Sequence, residues 1–241
     1  MQAAAPIAAK DRVYVAVDTP DIDRALDLTE SLSGLVGGIK LGKEFFTANG
    51  PEGVYRLLVH GLPVFIDLKY HDIPNTVAGA VRSALPLGPT MLNVHCTGGE
   101  AMMKAAVEAA DGANSGRRPL ILGVTVLTSL SDEDLGAVGI AGPVIEQVVR
   151  LARLAKASGL DGVVCSAKEC MSIRGACGAD FKLVVPGIRP AWADKGDQKR
   201  VVTPSEAVAL GADYLVIGRP ITGAANPADA AKRIVDELEA A

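Results

Sequence analysis

Between positions 67 and 72 the chain reads Asp67-Leu68-Lys69-Tyr70-His71-Asp72, so two carboxylates bracket an ammonium within six residues. An ammonium aimed at a reacting atom can steady a developing anion and then supply a proton. The residues leading in alternate Val64, Ile66 and Leu68 with Phe65, Asp67 and Lys69, which is the period of a strand. That period sends Asp67 and Lys69 to one face at the strand's end. Asp72 falls beyond it, in a loop before a helix starting near Pro74-Asn75. The plainer reading is an ion-pair cluster that pins a loop, since structural networks also hold charges at strand ends. A buried strand nevertheless carries such charges only with a task or a partner.

The elements that must position these groups repeat along the chain. Short β-branched runs at 12–18, 36–40, 63–69, 90–95, 120–126, 162–165, 182–185 and 214–217 predict strands. Amphipathic segments at 21–33, 76–85, 99–113, 144–158 and 205–210 predict helices between them. Thr203-Pro204-Ser205-Glu206 carries an N-cap, a first-turn proline and a capping-box glutamate, and Asn226-Pro227 opens the last helix. Eight strand-then-helix units in 241 residues fit a single (β/α)8 TIM barrel over 11–241 behind a loose tail at 1–10. A doubly wound sheet is the competitor, but no Gly-x-Gly-x-x-Gly follows the first strand and no Gly-Lys-Ser/Thr loop occurs.

Composition narrows the function classes. A hydrophobic share of 49% supports a large core, while a net charge of -4 and a pI near 5.4 argue against nucleic-acid or membrane-surface partners. Aromatic residues make up only 4%, too few for a base-stacking platform. Residues 1–10 lack a basic start and an apolar run, and no apolar run approaches the ~18 residues of a membrane span. Cys96, Cys165, Cys170 and Cys177 show no Cys-x-x-Cys spacing, so neither a disulfide framework nor a zinc site is expected. A cytoplasmic location follows as the expectation.

In a barrel, chemistry gathers at the carboxyl ends of the strands. The first strand ends at Asp18, the second at Lys40 and the third at Asp67 and Lys69, so the sign of the charge alternates around one rim. The opposite ends read as mostly apolar, proline or loop residues. Strand five leads into Val126-Leu127-Thr128-Ser129, with two hydroxyls at the mouth. Strand seven runs into Pro186-Gly187-Ile188-Arg189-Pro190 and a polar stretch to position 200, and strand eight into Gly218-Arg219-Pro220. These last two loops form the recurrent phosphate site of such barrels, where glycines admit backbone N–H groups and an arginine adds a bidentate contact. The 189–200 segment suits a lid over that phosphate. His60 reads as a helix-end residue, His95 either as lining the site or as a hydrogen-bonded wall residue, and His71 as an orienter of its loop.

Assembled in this order, the sequence resembles the orotidine 5′-phosphate decarboxylase family, in its bacterial branch, over nearly the whole chain. The resemblance rests on Asp67 through Thr76, on Pro186-Gly187-Ile188-Arg189-Pro190 with Gly196-Asp197-Gln198, and on Asn93-Val94-His95 and Val126-Leu127-Thr128-Ser129. It implies decarboxylation of orotidine 5′-phosphate to uridine 5′-phosphate without metal or organic cofactor. It also implies roles. Asp18 and Lys40 hold ribose hydroxyls, and Lys40 bridges the charged cluster. Asp67 faces the substrate carboxylate, and Lys69 protonates the carbon that loses carbon dioxide. Thr128 or Ser129 meets the pyrimidine, Gln198 spans pyrimidine and phosphate, and Arg189, Gly218 and Arg219 cradle the phosphate. Asp72 and Thr76 complete the site of a second subunit in a homodimer. Two readings compete: a related Mg²⁺-dependent sugar-phosphate decarboxylase or aldolase-type barrel, and a non-catalytic barrel that only binds a nucleotide phosphate.

Overall fold

The computed structural model describes residues 7–112, 118–193 and 202–241. Eight strands run parallel and close in chain order. They are β1 (Val13–Ala16), β2 (Gly38–Gly42), β3 (Val64–Tyr70), β4 (Met91–His95), β5 (Leu120–Val124), β6 (Gly162–Val164), β7 (Lys182–Pro186) and β8 (Tyr214–Ile217). β8 pairs back onto β1 with Tyr14 opposite Val216, so no edge remains open. The expected barrel is therefore the fold.

Ten α-helices lie among the described residues. They are α1 (Ile22–Leu32), α2 (Lys43–Leu58), α3 (Pro74–Ala84), α4 (Gly99–Asp111), α5 (Asp132–Ala137), α6 (Val144–Ala157), α7 (Cys170–Cys177), α8 (Pro204–Ala209), α9 (Arg219–Thr222) and α10 (Pro227–Glu239). The capping box on α8 forms as read, with Thr203 accepting from the Glu206 N–H, and Asn226 caps α10. Pro74 opens α3. α2 breaks internally at Gly50, whose φ of 59° lies in the left-handed region, and Pro51 follows it.

Period two sorts the strand residues into two cores. Val13, Val15, Ile39, Leu41, Val64 and Ile66 face outward into the layer beneath the helices. Tyr14, Ala16, Phe65, Met91, Leu122, Val184 and Val216 fill the barrel itself. Because both strand faces are buried, burial alone does not separate them, and the strands read as near-continuous apolar runs. Lys40 is level with Phe65, and Asp67 lies two residues further up the same inward face. The inner side chains thus form a floor of Phe65, Ala16 and Val216 with charge on top.

One expectation fails at the opposite end of the barrel. The amino-terminal rim is not apolar: Arg12, Asp161 and Asp213 each directly precede a strand, Arg118 stands two residues before one, and Lys182 starts one. Asp213 accepts the Leu183 N–H at 2.8 Å and Asp161 accepts the Ile121 N–H at 2.7 Å, each tying its own strand to the one before it. Arg174 and Arg118 neutralise these two carboxylates. Arg118, Asp161 and Asp213 fall just outside the periodic runs and Arg12 and Lys182 only open two of them, so the run interiors carry no sign of this network.

Candidate active site

The carboxyl-terminal rim encloses a cavity of about 260 Å³. Lys40 and Asp67 rise into it from β2 and β3, with Asp18 above β1 and Lys69 at the top of β3. Pro186, Gly187 and Arg189 wall it from the β7 loop, and Gly218 and Arg219 from the β8 loop. Sequence-predicted residues from five strand ends therefore share one space.

Its charges form a chain. Lys40 Nζ lies 2.9 Å from Asp18 Oδ1 and 3.4 Å from Asp67 Oδ2, and Lys69 Nζ lies 2.6 Å from Asp67 Oδ1. Side-chain exposure is 9% for Lys40 and 11% for Asp67, but 26% for Lys69 and 51% for Asp18. The inner pair sets the geometry while the outer two keep faces open to a ligand. Gly42 makes room for this, because a Cβ there would meet Lys40 Nζ at 2.8 Å and Asp18 Oδ1 at 3.0 Å.

The top of β3 departs from a regular strand. Phe65 and Ile66 pair with Met91 and Leu92, but Tyr70 pairs with Val94, so β3 carries two extra residues over that interval. Lys69 takes up the slack with φ of 54°, alone among the described non-glycine residues in having a positive value. Asn93 on β4 reaches into the gap. Its Oδ1 accepts the Lys69 N–H at 2.8 Å and its Nδ2 donates to Asp67 Oδ1 at 2.6 Å. Asn93 was not among the predicted site residues. Its signal was present, as the one amide within the otherwise apolar run Met91-Leu92-Asn93-Val94.

Other expected members lie apart from the cavity. Asp72 is exposed, its Oδ1 accepts the N–H of the next residue, Ile73, at 2.6 Å, and among the described residues no ion pair joins it to Lys69. The expectation that two aspartates flank Lys69 is thus met by Asp67 alone within this chain, since the loop after β3 carries Asp72 outward. Thr76, Thr128 and Ser129 are likewise exposed. β5 ends at Val124, two residues short of the expected 126, which leaves both hydroxyls in a turn beyond the strand. Gln198 and the predicted lid beyond Ala193 lie outside the described residues.

On the phosphate side, Gly187 has φ of 80°, a conformation that a Cβ would strain. Arg189 is 6% exposed and one of its nitrogens is tethered to the Ile188 carbonyl at 2.8 Å, whereas Arg219 is exposed at the rim. Trp192, to which no role was given, lies under the Arg233 guanidinium, 4.1 Å from its ring centre. His71 and His95 sit with ring centres 5.2 Å apart beside the cavity. Burial lowers the His95 pKa, and the nearby His71, Lys43 and Lys69 lower it further against the opposing pull of Asp67.

A larger but shallow depression of about 470 Å³ lies on the outside of α6, lined by Ile145, Glu146, Val149, Arg150 and Arg153. It gathers none of the strand-end residues. Among the described residues no three His, Cys, Asp or Glu side chains converge as a metal site requires, and no helix is long and apolar enough to cross a membrane.

Comparison with known proteins points the same way as the cavity. A sequence model described as "Orotidine 5'-phosphate decarboxylase / HUMPS family" matches residues 11–234. Proteins named orotidine 5′-phosphate decarboxylase from Rhodospirillum rubrum and Paramagnetospirillum magneticum are 57% and 56% identical to this chain. Each alignment covers 94% of this chain, with 93% and 97% of those proteins respectively. A crystal structure of orotidine 5′-phosphate decarboxylase from Lactobacillus acidophilus superposes with a TM-score of 0.84 at 36% identity, covering 94% of this chain and 98% of that one.

Proposed function

The chain belongs to the orotidine 5′-phosphate decarboxylase / HUMPS family, and from its site we infer how it works: it decarboxylates orotidine 5′-phosphate in pyrimidine biosynthesis, with Lys69 as the proton donor. The observation that carries this reading is the Lys40–Asp67–Lys69 chain of contacts set across one cavity from Gly187, Arg189, Gly218 and Arg219.

Loss of carbon dioxide from carbon 6 of the pyrimidine breaks the bond to the carboxylate and leaves its electron pair in an sp² orbital. That orbital is orthogonal to the ring π system, so the ring does not delocalise the charge. The Lys69 ammonium lies beside that carbon, steadies the anion and gives it a proton, which yields uridine 5′-phosphate. Asp67 faces the departing carboxylate. Two such charges at ~4 Å and an effective dielectric of ~20 repel by about 4 kcal/mol, relieved as neutral carbon dioxide leaves. Asp18 and Lys40 take ribose hydroxyls, Thr128 or Ser129 takes the pyrimidine, and Gln198 spans pyrimidine and phosphate. Arg189, Gly218 and Arg219 take the phosphate, whose binding energy holds the substrate against the repulsion. Lys40 and Lys69 hold both Asp67 oxygens and one Asp18 oxygen, where they would compete with a divalent ion, so no metal enters this scheme.

Asp72 and Thr76 serve a neighbouring subunit. Both are exposed at the entry to α3, and Ile73 between them is 66% exposed, an apolar side chain suited to a two-fold interface. Lys69→Ala and Asp72→Asn chains should then each be inactive alone. One-to-one mixing should restore about a quarter of wild-type activity, because half the dimers are mixed and each mixed dimer keeps one intact site. No recovery under verified subunit exchange would place Asp72 in its own chain's chemistry. We assign the enzyme to the cytoplasm, in keeping with its four free cysteines.

The activity itself is tested by the ultraviolet absorbance change as orotidine 5′-phosphate becomes uridine 5′-phosphate. Purified protein should convert it at the same rate with and without EDTA. Inhibition by EDTA would favour the Mg²⁺-dependent sugar-phosphate reading, and no conversion at all would favour a binding protein.

A further inference from the structure

Lys69 holds a backbone conformation that a lysine adopts only when its surroundings impose it. The ladder between β3 and β4 does not impose it, since their register slips by two residues over this interval. The Asn93 side chain bridges that interval instead. Its Oδ1 supplies the Lys69 N–H with an acceptor in place of a strand carbonyl. Its Nδ2 grips Asp67 Oδ1, the same oxygen that holds Lys69 Nζ. The contacts close a ring, from the Lys69 backbone through Asn93 and Asp67 to the Lys69 ammonium. Only one orientation of the amide satisfies both ends, because the reverse sets two donors face to face at one end and two acceptors at the other. Asn93 is 1% exposed, so water does not replace either bond. Among the described residues its side-chain hydrogen bonds go to Lys69 and Asp67 and to none assigned to ribose or phosphate.

We propose that Asn93 is a positioning residue of the reaction, fixing the Lys69 backbone and the Asp67 carboxylate so that the ammonium points at the reacting carbon. This rests on the role given to Lys69 above. Without Asn93 the bulge has no acceptor for the Lys69 N–H, and the lysine relaxes toward ordinary strand geometry with its Nζ displaced.

The test measures kcat, KM, uridine 5′-phosphate affinity and melting temperature for wild type, Asn93→Ala and Asn93→Asp. Displacement of a reacting group by about 1 Å costs on the order of 100-fold in rate, so kcat of Asn93→Ala should fall by roughly that factor. Nucleotide affinity should stay within about threefold, because the ribose and phosphate contacts are untouched. Asn93→Asp keeps the acceptor for Lys69 but turns the donor into a carboxylate facing Asp67. Its kcat relative to wild type should rise as pH falls, when the new carboxyl takes a proton and donates again. A merely structural role would not produce that pH-dependent ratio. The proposal is overturned if Asn93→Ala keeps kcat within threefold of wild type, or if nucleotide affinity falls in step with kcat. Should Asn93→Ala not fold, a pH-independent ratio for Asn93→Asp overturns it as well. Failure of the wild type to convert substrate would instead strike the assigned reaction, and the positioning role with it.

Discussion

Two carboxylates at opposite ends of the barrel each hold two cations, and they differ in what else they hold. Asp213, before β8, is paired with Arg174 and more distantly with Lys182 at 3.9 Å. It also accepts the Leu183 N–H of the neighbouring strand. Its partner Arg174 donates in turn to the carbonyls of Gly178, Ala179, Phe181 and Gly211. Asp67, inside the other rim, is paired with Lys40 and Lys69 and accepts from the Asn93 side chain. None of the bonds found at Asp67 goes to the backbone. At one end the charges are spent on joining segments of the fold. At the other they satisfy one another beside a cavity, and a substrate can take up what they share. The count of charges does not distinguish the rims, but their partners do.

That contrast predicts losses of different kinds. The largest effect is expected for Lys69→Ala, where turnover should fall by about 10⁴-fold or more while uridine 5′-phosphate still binds. A steady-state rate within tenfold of wild type would remove Lys69 as proton donor and blur the distinction between the rims. Arg219→Ala should raise KM by about 10- to 100-fold, the worth of one or two charge-assisted hydrogen bonds to phosphate. An unchanged KM for orotidine 5′-phosphate would take Arg219 out of the phosphate site.

The smallest effect concerns His95. Its pKa in the folded protein is lowered from 6.5, first by burial and then by His71, Lys43 and Lys69. The unfolded chain therefore binds the proton first as pH falls below 6.5, and stability declines with falling pH until the folded value is passed. His95→Gln should flatten that part of the stability curve in urea titrations taken from neutral to acid pH. An unchanged slope would show that His95 binds protons alike in both states.

How much of this was legible follows from the physics of each signal. Period two gave the strands and placed Asp67 inward, because Phe65 and Asp67 stay in register with β2 up to Gly42. It also put Lys69 on the side of Asp67, and the two do meet. The route is not the expected one, since a left-handed residue and a two-residue slip bring them together. A strand pattern has no term for either. Asn93 went unassigned because its task lies in the neighbouring strand, which only the register reveals. The amino-terminal network was missed because Asp161 and Asp213 act on Ile121 and Leu183, partners 40 and 30 positions away. The outward placement of Asp72, by contrast, was legible, as periodicity lapses once the strand has ended.

The most direct measurement makes the same change at both rims, comparing Asp67→Asn with Asp213→Asn by turnover and by melting temperature. Each substitution removes one charge at nearly constant shape from a carboxylate that holds two cations. Asp67→Asn should lose about 10³-fold or more in kcat with little change in melting. Asp213→Asn should lose about 2–4 kcal/mol of stability, or roughly 5–15 °C in Tm, with kcat of the folded protein within twofold of wild type. If Asp67→Asn instead lowers Tm and spares kcat, or Asp213→Asn abolishes turnover in folded protein, the division between a catalytic and a structural rim is wrong.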